Sequence, residues 1–290
     1  MVVRQKYIYQ RNFKLKILLV DLHNMIHRAR HSFIKGENAC VFNFFRQLKA
    51  EIDRHQPDTV YLVSEGRPKH RHALYDSYKA NRPKKIDDDF SKQKKKIYEL
   101  VQLLPVNFIY HPDFECDDVI AYLASEVYCD CDVTILSTDT DFIQLLQHEH
   151  VSLWNPIKKK YIDQWPVDYL TYKSLRGDAA DNIKGVTGVG DKTAMKLASE
   201  QSMLMEFFDK KPDAKTQYTQ ARDLIKFANV AKYKSGLVFK IYNMDMDKMF
   251  SAFKEMNFKS LTGKSWPKWT STMEKISESR SQRNHAESVG

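Results

Sequence analysis

Cysteine is scarce in this 290-residue chain: Cys40, Cys116, Cys129 and Cys131 form no CxxC pair. They are too few for a disulfide framework, which fits a reducing compartment and buried thiols. Long apolar runs are also missing. No stretch reaches membrane-spanning length, and the first residues, MVVRQKYIYQRNFK, lack the continuous apolar core of a secretory signal. A soluble, intracellular monomer without a membrane partner is therefore expected. No internal repeat is visible.

Positive charge is abundant. The formal net charge is +9, which makes the chain a candidate for binding a polyanion. Nine acids (Asp21, Glu65, Glu115, Asp117, Asp118, Asp139, Asp141, Asp178 and Asp181) fall into a few short motifs, so the remainder is more basic still. The pattern is a concentrated acidic site within a basic body.

Apolar runs of strand length recur, each followed by an acid. Lys16–Val20 ends in Asp21, Thr59–Val63 precedes Glu65, Val106–Tyr110 precedes FECDD (114–118), and Asp132–Leu136 precedes STDTD (137–141). Helical patterns alternate with them, at 22–30, 41–52 and 119–127. This alternation reads as an α/β fold with a mostly parallel sheet, in which ligands gather at the carboxyl ends of the strands. His23, His27 and His31 recur at four-residue spacing but lack a cysteine or acid partner, which fits a solvated helix face better than a metal site.

Arg67 to Lys96 is dense in cations, with Tyr75 and Tyr78 interleaved, and reads as an excursion followed by a helix at about 90–104 rather than a core element. Val151–Trp154 reads as an edge strand, Pro156–Tyr161 as a basic turn, and Pro166 opens a helix to Arg176. In RGDAADNIKGVTGVGDKT (176–193), Asp178 and Asp181 stand one helical turn apart. Gly185, Gly188 and Gly190 follow, and Lys192 and Thr193 open a helix able to meet a phosphate. A Walker-type loop would need adjacent Gly-Lys after a strand, but Asp191 intervenes and no strand is expected there. Segments 214–227, 230–241 and 246–256 read as helical, and 275–290 as a disordered polar tail.

Oxygen-only ligands select a hard cation such as Mg²⁺ or Mn²⁺. Two such ions roughly 4 Å apart are the usual means of cleaving a phosphodiester. On residues alone, the chain reads as a metal-dependent phosphodiesterase acting on nucleic acid.

The motifs DLHN (21–24), SEG (64–66), YKANRP (78–83), FECDD, STDTDF (137–142) and GDAADNIKGVTGVGDKTA (177–194) resemble successive blocks of the 5′-nuclease, or flap endonuclease, superfamily. The stand-alone bacteriophage 5′-exonucleases and ribonuclease H are the most similar members; such a source would place the protein in the host cytoplasm. The resemblance implies a PIN-like (resolvase-like) core at 15–165 after a short arm (1–14). A helical arch at about 79–104 and an α-rich region at 166–274 with a helix-hairpin-helix module complete it. By the same resemblance Asp21, Glu65, Glu115, Asp117 and Asp139 surround a first metal. Asp139, Asp141, Asp178 and Asp181 surround a second, with Asp118 supporting. Arg71 and Lys79 contact the scissile phosphate, and Tyr78, Arg82, Lys84 and Lys85 contact the single strand. Gly188, Gly190, Lys192 and Thr193 grip duplex backbone, with K⁺ as an added ion. Implied substrates are branched or flapped DNA and RNA:DNA hybrids, and implied partners a sliding clamp or a single-strand DNA-binding protein. Glu65 stands where the family generally has Asp. A catalytically silent branched-DNA binder and a general PIN-type ribonuclease are the competing readings.

Overall fold

The computed structural model describes residues 14–33, 36–82 and 87–289, with side chains described as far as 281. Residues 1–13 of the expected arm (1–14) and the cations Lys84 and Lys85 lie outside the described residues.

The chain begins with β1 (Lys16–Asp21), α1 (Leu22–Arg30), α2 (Ala39–His55), β2 (Thr59–Val63), α3 (Lys69–Leu74), α4 (Asp88–Leu100), β3 (Asn107–Tyr110), α5 (Cys116–Tyr122) and β4 (Asp132–Leu136). Four central strands, β4-β1-β2-β3, are parallel and in one sheet. Along β1, Leu18 and Val20 pack into one core while Ile17 and Leu19 pack into another on the opposite face. A strand buried on both sides has to be apolar throughout, which is why KILLV reads as a run rather than an alternation. Because the strands are parallel, the acids after each of them arrive at one edge.

Beyond β4 lie β5 (Val151–Asn155) and the antiparallel β6 (Lys160–Tyr161), so β5 is not the edge and the expected basic turn ends in a strand. After β4 the chain forms a 3₁₀ segment, Asp141–Gln147. Next come α6 (Tyr169–Arg176), capped by Asp168 rather than opened by Pro166, and a two-stranded ribbon of β7 (Gly177–Asp178) and β8 (Ile183–Lys184). α7 (Asp191–Ser199), α8 (Gln201–Lys210) and α9 (Pro212–Ile225) form a helical unit with its own core around Leu175, Val186, Leu197 and Phe208.

Three expectations fail here for identifiable reasons. The helix expected at about 90–104 is present as α4, but it is a core element: Phe90, Ile97 and Leu100 enter the main core, and Asp87 caps the helix by accepting from the Phe90 N–H at 2.7 Å. The His stripe is solvated as expected at His27 and His31, which are exposed, while His23 is half-buried. His23 accepts a hydrogen bond from Lys94 on α4 at 2.8 Å, and His27 packs 5.3 Å from the Phe90 ring. Segment 230–241 is a 3₁₀ turn (Val230–Gly236) followed by β9 (Val238–Ile241), which returns to the sheet antiparallel to β3. The polar tail is instead the end of α12 (Trp266–Val289).

That last helix, with α10 (Met246–Glu255) and α11 (Lys259–Thr262), covers the sheet rather than extending the helical unit. Trp269, Met273 and Ile276 repeat at helical spacing and are buried beside Phe45 and Phe253. Three buried apolar residues, with Trp266 packed beside them, are enough in a mostly polar helix when the partner surface is already folded. Replacing Trp269 with Ala removes a completely buried ring and is expected to lower unfolding stability by about 3–5 kcal/mol. Urea denaturation measures this, and a helix that did not dock would show no change.

Candidate metal centre

β1 ends in Asp21, whose carboxylate caps α1. It accepts from the Asn24 N–H at 3.0 Å and the Ser137 hydroxyl at 2.8 Å. Asn24 in turn donates to Thr138 Oγ1 at 2.6 Å, locking the end of β4 to the start of α1. Glu65 accepts from the Cys116 N–H at 3.4 Å. Asp139 is set by its own N–H donating to Ser137 Oγ at 3.1 Å, and it accepts from the Asp141 N–H at 2.9 Å. Backbone and hydroxyl donors thus fix each carboxylate without neutralising it.

Crowding raises the proton affinity of these acids. Burial is the main cause for Asp21, pushed up to about 6, and for Glu65, pushed up to about 7. Asp117 is raised well above the carboxylate range by burial and then by Asp139, Glu65, Asp21 and Glu115, so these five side chains share one electrostatic site. Asp141 is pushed to about 6, again chiefly by burial, with Asp139 contributing.

Cys116 was not singled out by sequence reasoning beyond being a buried thiol. Its sulfur and the oxygens of Asp21 and Asp117 lie within 4.8 Å of one another. It donates to the Val63 carbonyl at 3.3 Å, and burial followed by Asp21 pushes its pKa up. A thiol held protonated is a donor rather than a metal ligand. The donor set that remains is carboxylate oxygen, clustered at Asp21, Glu65 and Asp117 with no direct ion pair among the described residues, and this fits a hard divalent ion.

Elsewhere the structure supplies its own cations. Glu115 is held by Arg71 at 2.5 Å, by the Tyr78 hydroxyl at 2.9 Å and by Lys79. Lys79 also reaches Asp181 at 3.5 Å, and Arg82 pairs with Asp181 at 2.5 Å. Lys173 on α6, absent from the sequence reading, pairs with Asp141 and lies 2.8 Å from Asp178. Although burial opposes it, Lys173 holds Asp178 below the usual carboxylate range. Asp178 and Asp181 are therefore not two carboxylates on one helix face. They flank the turn of the β7–β8 ribbon and face different cations.

Three further assignments change. Arg71 is 3% exposed, and all of its nitrogens donate, to Glu115, to both oxygens of Asp118 and to the carbonyls of Leu224 and Lys226. It has no donor left for a phosphate and acts as a clamp. Asp118 is fully buried, bonded to Arg71 and to the N–H groups of Glu115 and Ala228, so it is not a metal ligand. Tyr78 is 4% exposed, its ring packed with Ile183 and Leu224, and cannot stack on a base. Arg82, Lys192 and Thr193 are exposed as expected, and Gly188 (φ +78°) and Gly190 stand free of neighbours at the start of α7. A two-residue strand, β8, does precede this turn, although Asp191 still separates Gly190 from Lys192.

Residues 16–176 match the model of the 5′-3′ exonuclease N-terminal resolvase-like domain, and residues 164–260 that of the 5′-3′ exonuclease C-terminal SAM fold. A 5′-3′ exonuclease of Mycoplasmopsis pulmonis is 28% identical over 67% of this chain and 69% of its own length. Thermostable DNA polymerase I of Thermus thermophilus is 34% identical over 67% of this chain, which spans about a quarter (25%) of that polymerase. Among solved structures, the bacteriophage T5 flap endonuclease in a pseudo-enzyme-product complex with DNA and metal ions superposes with a TM-score of 0.62. It is 20% identical, covering 91% of this chain and 99% of its own. Flap endonuclease-1 from Methanococcus jannaschii gives 0.59 at 13% identity, covering 93% and 94%. At these identities the superpositions establish the fold.

Because Asp21 and Glu65 have folded-state pKa values above their unfolded values of about 4, the folded protein holds extra protons between about pH 4 and 7. In EDTA their contribution to stability should fall as pH rises through that window. Millimolar Mg²⁺ should raise Tm more at pH 8 than at pH 5, measured by scanning calorimetry. Arg71→Met should cost about 3–5 kcal/mol in urea unfolding, since it strands two buried carboxylates.

Proposed function

This chain belongs to the 5′-3′ exonuclease family, and from that premise we propose that it is a divalent-metal-dependent, structure-selective 5′-to-3′ nuclease that removes RNA primers or 5′ flaps. The observation that carries this is the uncompensated carboxylate set of Asp21, Glu65, Asp117 and Asp139 at the carboxyl edge of the sheet. These residues, with Glu115, would hold a first Mg²⁺ or Mn²⁺. Asp139, Asp141, Asp178 and Asp181 would hold a second, beside Lys173. Such an ion pair, when bound, activates a water and takes up charge on the leaving oxygen.

The chain's own cations do the positioning. Lys79 is charged: burial disfavours the ammonium, but Glu115, Asp181 and Asp117 outweigh it. It therefore stands ready for a phosphate oxygen beside the acids. Next to Glu65 opens a groove of about 910 Å³ lined by His23, Arg67, Lys69, Lys94, Lys95 and Tyr98. Cations around an aromatic surface suit a single nucleic-acid strand. On the other side of the site, Gly188, Gly190, Lys192 and Thr193 present free backbone and an exposed ammonium to duplex phosphates, with K⁺ as the ion added at this turn.

A 5′-labelled flap and an RNA-primed duplex test the reading. Both should be cleaved in Mg²⁺ and neither in EDTA, and Asp139→Asn should slow cleavage by about two orders of magnitude or more. Tight binding of both substrates without turnover in Mg²⁺ or Mn²⁺ would instead identify a silent binding protein.

A further inference from the structure

The last strand of the sheet leaves an interaction surface that nuclease chemistry does not use. β9 pairs with β3 on one side, and among the described residues no strand pairs with it on the other. Its outer row of backbone N–H and C=O groups is therefore available to another extended chain. At the opposite edge of the sheet, the two-residue β6 is blunted by Lys158, Lys159 and Lys160; β9 carries a single cation between apolar neighbours, Val-Phe-Lys-Ile.

The two faces of β9 differ. Phe239 is 47% exposed and Ile241 54% exposed. They share a face, and Phe239 lies 6.2 Å from the Tyr61 ring on the α5 side of the sheet. Lys240 points the other way and is exposed, and Lys232 and Lys234 are exposed in the turn that leads into the strand. A strand added here would place alternate residues beside Phe239 and Ile241 and the intervening ones beside Lys240. An apolar residue is favoured in the first set and an acid in the second. A second copy of β9 would instead bring like charges together on an already basic chain.

At the head of the strand the preceding turn lines a further cavity of about 770 Å³, whose wall includes Leu74, Phe114, Tyr233 and Lys232. Leu74 and Tyr233 are 62% and 56% exposed. These exposed apolar groups line a cavity that reaches Gly236, two residues before the strand, and so add apolar surface near its start.

We propose that β9 is a docking edge for an extended segment of a partner protein in which acidic and apolar residues alternate, bound by strand addition. The probe is a fluorescein-labelled peptide, Asp-Val-Asp-Ile-Asp-Phe-Asp, with a Lys-for-Asp counterpart as control, titrated with the full chain by fluorescence anisotropy. The acidic peptide should bind at least about tenfold more tightly than the basic one, and Lys240→Glu should reverse that order. Phe239→Glu should weaken acidic-peptide binding at least about tenfold while the protein stays folded and still cleaves a flap. N-methylation of alternate peptide amides should abolish binding in one register only.

Equal binding of the two peptides, or binding untouched by Phe239→Glu in a folded protein, would overturn the proposal. So would sedimentation showing a dimer that Phe239→Glu dissolves, which would make a second copy the occupant. Binding gained only after deletion of residues 1–13 would also overturn it, since the chain itself would then compete for the edge.

Discussion

Repulsion among carboxylates is the constraint that shapes this molecule. Parallel strands deliver their carboxyl ends to one edge, so an acid after each strand converges on its neighbours whether or not anything is bound. The structure answers with two kinds of compensation. Glu115, Asp118, Asp141, Asp178 and Asp181 receive internal cations from Arg71, Lys79, Arg82 and Lys173. Asp21, Glu65 and Asp117 form no direct ion pair among the described residues, and burial raises their proton affinity although Lys79 opposes it at Glu65. The unbalanced half is where a divalent ion gains most, because it removes the repulsion and the desolvation cost together.

The balanced half has a mechanical role. Arg71 links α3 to Glu115 and Asp118 at the start of α5 and to the last carbonyls around α9, while the Ala228 N–H closes the same network. Lys79 and Tyr78 join Glu115 to Asp181 on the ribbon before α7. The helical unit that presents the glycine turn is thereby tied to the carboxylates through buried charge-assisted bonds. Such bonds are short and directional, and breaking one strands its partner in a low-dielectric interior. These contacts, together with the apolar cluster of Tyr78, Ile183, Ala221, Leu224 and Ile225, hold the ribbon before the glycine turn against the carboxylates.

The acids and strands were legible because their signals are local. An apolar run ending in an acid needs no knowledge of distant residues, and the β1, β2, β3 and β4 runs each carried one. The misreadings arose where a distant surface decided the outcome. Residues 275–290 lack an apolar period of their own, and α12 forms because Trp269, Met273 and Ile276 meet a core built by α2 and α10. Residues 230–241 held a strand that exists because β3 offered a free edge. Lys173, a single cation in a helix, carried no signal that it would sit between Asp141 and Asp178. Tyr78 and Arg71 read as nucleic-acid contacts because cations and aromatics in a basic run look exposed, whereas both side chains turn inward.

By itself the amino-acid sequence determined the parallel α/β core, the family, and which carboxylates meet at its edge, because strand period and strand-end acids are properties of neighbouring residues. Tertiary structure alone decided which of those acids are paired with an internal cation and which are not. That division depends on where Arg71, Lys79 and Lys173 come to rest. Those positions are set by packing between segments up to about 150 residues apart, such as Arg71 against Leu224 (a separation of 153), over which no local pattern carries information.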